Sequence, residues 1–98
     1  MKIDLNEYGP LISDKNVGNK IYVLIKDGLS NSDVVEIDLM HITTMATFCA
    51  KQIFGKLYLE LGSSKFFERI KLFNSNEDLK IIIKMGIQNA IDEHKHHS

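Results

Sequence analysis

Residues 34–62, Val34-Val-Glu-Ile-Asp-Leu-Met-His-Ile-Thr-Thr-Met-Ala-Thr-Phe-Cys-Ala-Lys-Gln-Ile-Phe-Gly-Lys-Leu-Tyr-Leu-Glu-Leu-Gly62, decide the fold. The stretch opens as a strand. Val35, Ile37 and Leu39 alternate with Glu36 and Asp38, so one face is apolar and the other polar. A hydroxyl-rich crossover with Thr43, Thr44 and Thr47 follows. A helix is then predicted from about Thr47 to Leu61, with Ala50, Ile53, Phe54, Leu57, Tyr58 and Leu61 on one side. Lys51, Lys56 and Glu60 fall largely outside that face. A strand that crosses into a helix aims backbone N–H groups and hydroxyls at one spot, where a phosphate or an acidic group is favoured.

Outward from this unit the same alternation repeats. Lys2–Leu5 reads as a short strand with Ile3 and Leu5 on one face, and Gly9-Pro10 as a turn. A helix is predicted to start at Ser13 as cap, with Asp14 in its first turn. Val17, Ile21, Leu24 and Ile25 form its stripe, and Gly28 is expected to end it in a left-handed conformation. Beyond Gly62-Ser63-Ser64, Phe66-Phe67 is read as leading into a third strand near Arg69–Phe73. A last helix is predicted from Asn74-Ser75, with Ser75 and Asp78 as a weak capping box. Leu79, Ile82, Ile83, Gly86, Ala90 and Ile91 form its buried side, and Ile81, Met85 and Ile87 widen the apolar arc enough to allow self-association.

The order β-α-β-α-β-α predicts a small, mostly parallel sheet. Asp4, Glu36, Asp38 and Lys71 in the strands argue that helices cover mainly one face. The expected fold is therefore a two-layer α/β domain over residues 1–93, followed by a His-rich tail over 94–98.

Composition narrows the function. The 98 residues provide one core, and 44% apolar with 26% charged residues is ordinary for a soluble domain. Twelve Lys+Arg against thirteen Asp+Glu give a formal charge of -1, which argues against a dedicated nucleic-acid binder. No apolar run spans a membrane and no signal core follows Met1-Lys2. With Cys49 as the one cysteine, the expected compartment is the cytoplasm.

Chemistry-bearing sets are missing. No nucleophile with its base, paired carboxylates, zinc-spaced ligands or phosphate-cradling glycine motif appears, so neither an enzyme nor a cofactor is expected. His94, His96 and His97 are read as a solvated chain end, not as metal ligands. His41 is read as a turn residue, Asp38 as an acid that bonds local N–H groups, and Cys49 as a small buried hydrophobe.

Four segments carry a family likeness: Tyr8-Gly-Pro-Leu-Ile-Ser13, Val34-Val-Glu-Ile-Asp-Leu39, Ala50-Lys-Gln-Ile-Phe-Gly-Lys-Leu-Tyr58, and Ile70-Lys-Leu-Phe-Asn74 before Glu77-Asp78. In order and spacing the chain resembles the STAS-like domain family of unknown function, a relative of the STAS domains of bacterial anti-sigma factor antagonists. The resemblance implies a protein-binding module in bacterial or phage signalling. Its implied partner is a kinase-like ATPase that phosphorylates a Ser or Thr at the start of the helix after the central strand. Antagonists usually read Asp-Ser-Ser-Gly there. An ungapped match puts Ala46, Thr47, Phe48 and Cys49 at those positions, so an aromatic ring replaces the usual acceptor.

Thr47 is then either a helix cap or, with a one-residue slip, the phosphoacceptor. The expected partner-binding residues are Thr43, Thr44, Met45, Thr47, Phe48 and Lys51. Met45 and Phe48 form a contact patch if exposed and complete the core if buried. The alternative function is a nucleotide- or small-ligand-binding domain using the same crossover.

Overall fold

The structure, a computed structural model of the chain, describes residues 1–97, with side chains described through Lys95. Three strands form the main sheet: β1 (Lys2–Asp4), β3 (Val35–Asp38) and β5 (Ile70–Phe73). They run parallel in the order β1-β3-β5. In register, Ile3 lies beside Ile37, and Ile37 beside Leu72. Ile3, Val35, Ile37 and Ile70 are buried on one face. Lys2, Glu36 and Lys71 form a charge ladder of alternating sign on the other, exposed face. The sheet is thus covered on one side and wet on the other, as its alternation predicts.

Helix α1 (Lys15–Asn31) connects β1 to β3. Its cap is Asp14, one residue beyond the expected Ser13: the carboxylate accepts from Asn16 N at 2.7 Å and Val17 N at 3.2 Å. Gly28 does not end the helix, which runs three residues further. A Cβ there would stand 2.9 Å from Met1 Sδ and 3.2 Å from Val35 Cγ2, so glycine serves the close approach of α1 to the sheet. The true end is held from outside. Arg69 donates to Leu29 O at 2.6 Å, Ser32 O at 3.0 Å and Asp33 O at 3.0 Å, laying a cation across the carbonyl end of the helix.

The long central helix is three segments end to end. They are α2 (Thr47–Ala50), a π-helical turn (Lys51–Gly55) and α3 (Lys56–Leu61). Gly62, at φ +83°, breaks it. The chain then turns into α4 (Ser63–Arg69), where the sequence reading led Phe66-Phe67 straight into a strand. Phe66 is buried and stacks edge-on with Tyr58 at 5.5 Å, while Phe67 stays outside. Between α1 and α3, the Tyr22 hydroxyl donates to Glu60, and Lys56 sits 4.4 Å over the Tyr22 ring. Burial first, then that hydrogen bond, push the Tyr22 phenol up to about 12.

The last helix, α5 (Glu77–His97), packs across the π turn. Asn76 caps it by accepting from Leu79 N at 2.8 Å, in place of the expected Ser75. Leu79, Ile83, Gly86 and Ala90 are its buried side. Of the tail expected at 94–98, the helix takes in His94 to His97. Ser98 and the side chains of His96 and His97 lie outside the described residues.

Two short strands were not anticipated. Strands β2 (Leu11–Ile12) and β4 (Thr44–Met45) pair in parallel, Leu11 with Thr44 and Ile12 with Met45. They form a second, two-stranded sheet that leads directly to the start of α2.

Candidate functional site

The crossover between β3 and α2 is held in place by backbone bonds to its neighbours. Ile42 N donates back to Leu39 O at 3.1 Å, which turns the chain as it leaves the sheet. Thr43 N donates to Pro10 O at 2.8 Å and Ala46 N to Ile12 O at 2.8 Å. From the other side, Asn76 Nδ2 donates to Thr43 O at 2.9 Å. The loop after β1 comes very close: a Cβ on Gly9 would stand 2.7 Å from His41 O and 2.8 Å from Ile42 Cδ1. Side chains on this loop are therefore presented from a fixed backbone.

Asp38 organises the exit from β3. Its Oδ1 accepts from Met40 N at 2.9 Å and from Asn74 Nδ2 at 3.0 Å, in line with its reading as a turn-forming acid. The Asn74 hydrogen bond first, and the Met40 N–H second, hold its carboxyl below the usual carboxylate range. Asp4 makes the matching bond one strand over, accepting from Asn6 N at 2.8 Å.

The start of α2 differs from what the hydroxyls imply. Ala46, not Thr47, occupies the cap position, with extended φ −65° and ψ 142°, and no side chain caps the helix. Thr47 is the first helical residue, so its hydroxyl is not a cap. A helix start without a side-chain cap leaves first-turn N–H groups for solvent or a partner.

The six expected contact residues divide. Thr43 and Phe48 are exposed, Phe48 by 52%. Thr44 and Thr47 are half-buried, Thr44 within β4. Met45 is a correction: at 2% exposure it belongs to the core, because its strand position beside Ile12 turns it inward. Lys51 leaves the crossover at the first π residue and pairs with Glu93 on α5.

Two further residues were missed. Leu11 and Met40 are exposed apolar side chains flanking the same crossover. Leu11 could have been found by noting that it alternates with Ile12, so that one of the two must face out. Met40 carries no such signal. His41 is exposed in the turn, as expected. Cys49 is fully buried, and burial first, with the nearby Asp14 charge second, pushes its thiol up. Both effects disfavour the thiolate, the reactive form of a cysteine. Among the described residues no group of three or more His, Cys, Asp or Glu gathers to hold a metal, and no helix is long and apolar enough to cross a membrane.

The profile of the STAS-like domain of unknown function (DUF4325) matches residues 17–80. The chain belongs to this family. The matched span runs from the first turn of α1 to the first turn of α5 and contains the whole STAS-like crossover. No curated protein matches the chain, and no solved structure does.

Proposed function

We propose that this STAS-like domain is a non-enzymatic regulatory module that binds a protein partner through the crossover and the first turn of α2. The partner is a kinase-like ATPase. Thr43, Thr44, Thr47 and Phe48 form the contact, with Leu11 and Met40 at its margin and Lys51 behind it.

One observation carries this reading: the half-exposed Phe48 ring stands on the uncapped first turn of a helix whose approach is fixed by backbone bonds. Aromatic anchors on rigid backbone are the usual source of interface energy. Phosphorylation of Thr47 would add roughly −1.5 to −2 charges beside that ring and reset the contact.

The test is affinity capture from host lysate with the wild-type domain, a Thr47→Glu variant and a Phe48→Ala variant. A kinase-like ATPase held by the wild type and released by both variants supports the proposal. Equal retention by all three would remove the crossover from the contact. The uncapped helix start also favours a small anion. Nucleotide-dependent thermal stabilisation, lost in Thr47→Glu, would move the assignment to a ligand-binding domain.

A further inference from the structure

A second surface stands apart from the crossover. Along α5, from Glu77 to Ile91, the outer side of the helix forms one wall of a continuous trough. Phe67 of α4, Leu72 of β5 and Tyr58 of α3 form the other. At about 1.5 Å of rise per residue this is a trough about 21 Å long, the right shape for another helix. Its half nearer β5 is a cavity of about 340 Å³. The surface is apolar where apolar residues are least expected outside: Phe67 is 61% exposed, Ile81 56% and Met85 48%.

The charges at the trough say what fits it. Glu77, Ile81 and Lys84 lie at i, i+4 and i+7, on one stripe of α5. An acid, an apolar residue and a base in that order are their own complement when the helix is reversed. Lys80 already pairs with Glu77 at 3.1 Å within the helix, whereas Lys84 faces the trough with no ion-pair partner within 4 Å among the described residues. A two-fold axis near Ile81 would set Glu77 of each copy beside Lys84 of the other and bury both Ile81 side chains between them. This is the isologous geometry that closes a dimer.

We propose that the trough binds α5 of a second copy of this chain, antiparallel, with Ile81 at the axis and two reciprocal Glu77–Lys84 pairs beside it. The area is modest. At roughly 200 Å² for a side chain of this size, the exposed parts of Phe67, Ile81 and Met85 supply on the order of 300 Å² per copy. That is about half of the ~600 Å² per copy at the lower end for a specific interface, so flanking polar residues must supply the rest. The dimer is therefore weak and forms in a concentration-dependent way. It does not depend on the crossover assignment above.

Sedimentation velocity and light scattering on the full chain test it. The wild type should pass from monomer to dimer mass between about 1 and 500 µM, the range a small interface implies. Glu77→Lys and Lys84→Glu should each weaken the dimer by ~10-fold or more, and the double exchange should restore it to within about 3-fold of wild type. Thermal unfolding of each variant, followed by circular dichroism, checks that the fold is kept. A wild type that stays monomeric across the range overturns the proposal and leaves the trough to a partner of different sequence. A dimer indifferent to both single exchanges, or one that the double exchange fails to restore, overturns the α5 pairing.

Discussion

The central helix has an open end and a sealed middle. Its first turn starts at Ala46 with no side-chain cap and carries the exposed Phe48 ring. Four residues on, at the π turn, it meets α5 across a seam with no spare room. A Cβ on Gly86 would stand 2.6 Å from Ala50 C and 2.6 Å from Lys51 N. A Cβ on Gly55 would stand 2.7 Å from Ala90 Cβ and 2.9 Å from Gly86 O. The other long helices do not start this way: Asp14 caps α1 and Asn76 caps α5. Among the long helices the open end is particular to the crossover, although the short α4 also follows Gly62 without a side-chain cap. Because the seam fixes the helix, its first turn can go without a cap and remain available for contact.

The largest effect is expected at the seam. Gly86→Ala drives a methyl into main-chain atoms that cannot rotate away, so either α5 or the π turn must shift. The cost should be about 3 kcal/mol, the upper part of the range for overpacking. In a domain of this size that lowers Tm by roughly 10 °C or more. A calorimetric scan showing a loss under ~0.5 kcal/mol would mean that α5 is free to lift and that the middle of the helix is not sealed.

A smaller effect is expected on the other flank. Gln52 donates to Lys15 O at 2.9 Å, and its Oε1 is buried without a hydrogen-bond partner. A Cβ on Gly18 would meet that Oε1 at 2.1 Å. The obstacle is the end of a side chain and not backbone, so Gly18→Ala can be accommodated by swinging Gln52 away. The loss should be about 1 kcal/mol, the worth of the displaced hydrogen bond. Urea unfolding of the two glycine variants side by side gives the ratio. If Gly18→Ala costs as much as Gly86→Ala, the α1 flank is as rigid as the seam.

The sequence reads well where period and burial coincide. Val35, Ile37 and Leu39 alternate with Glu36 and Asp38, and the strand lies where that pattern puts it. The stripe of Ile53, Phe54 and Leu57 is fully buried, as its helical spacing requires. The seam is illegible for the opposite reason. Gly55 and Gly86 look isolated along the chain and acquire meaning only when α5 folds back on the π turn. Phe66-Phe67 misleads because adjacent aromatics favour strands, yet tertiary context decides such residues. Here Gly62 breaks one helix and Phe66 anchors another against Tyr58. Strands β2 and β4 are two residues each, too short for any alternation to register. At the site, Met45 and Phe48 look equivalent in sequence. Pairing of β4 with β2 sends one inward and leaves the other out.

At the open end the expected stability change reverses sign. Ala46 already has the extended backbone of a cap residue and lacks only the side-chain acceptor. Ala46→Ser should supply one and stabilise the domain by ~1 kcal/mol. If the first-turn N–H groups serve a partner or an anion, the same hydroxyl competes for them, and affinity should fall while Tm rises. A variant more stable by that amount and equally able to bind would show that the contact does not use those N–H groups.

The smallest stability effect belongs to Phe48→Ala, and it is the most discriminating. The ring is 52% exposed and stands outside the core cluster, so truncation should change unfolding free energy by no more than about 0.5 kcal/mol. If the ring anchors the partner, affinity should fall by ~30-fold or more, a loss of about 2 kcal/mol. The two measurements together separate the roles of the helix, since a core residue would move the first and an anchor only the second. A Phe48→Ala domain that unfolds much more easily would mean that the first turn shares the work of the seam. One that keeps both stability and partner affinity would leave the crossover without an anchor, and the contact would have to be sought on another face.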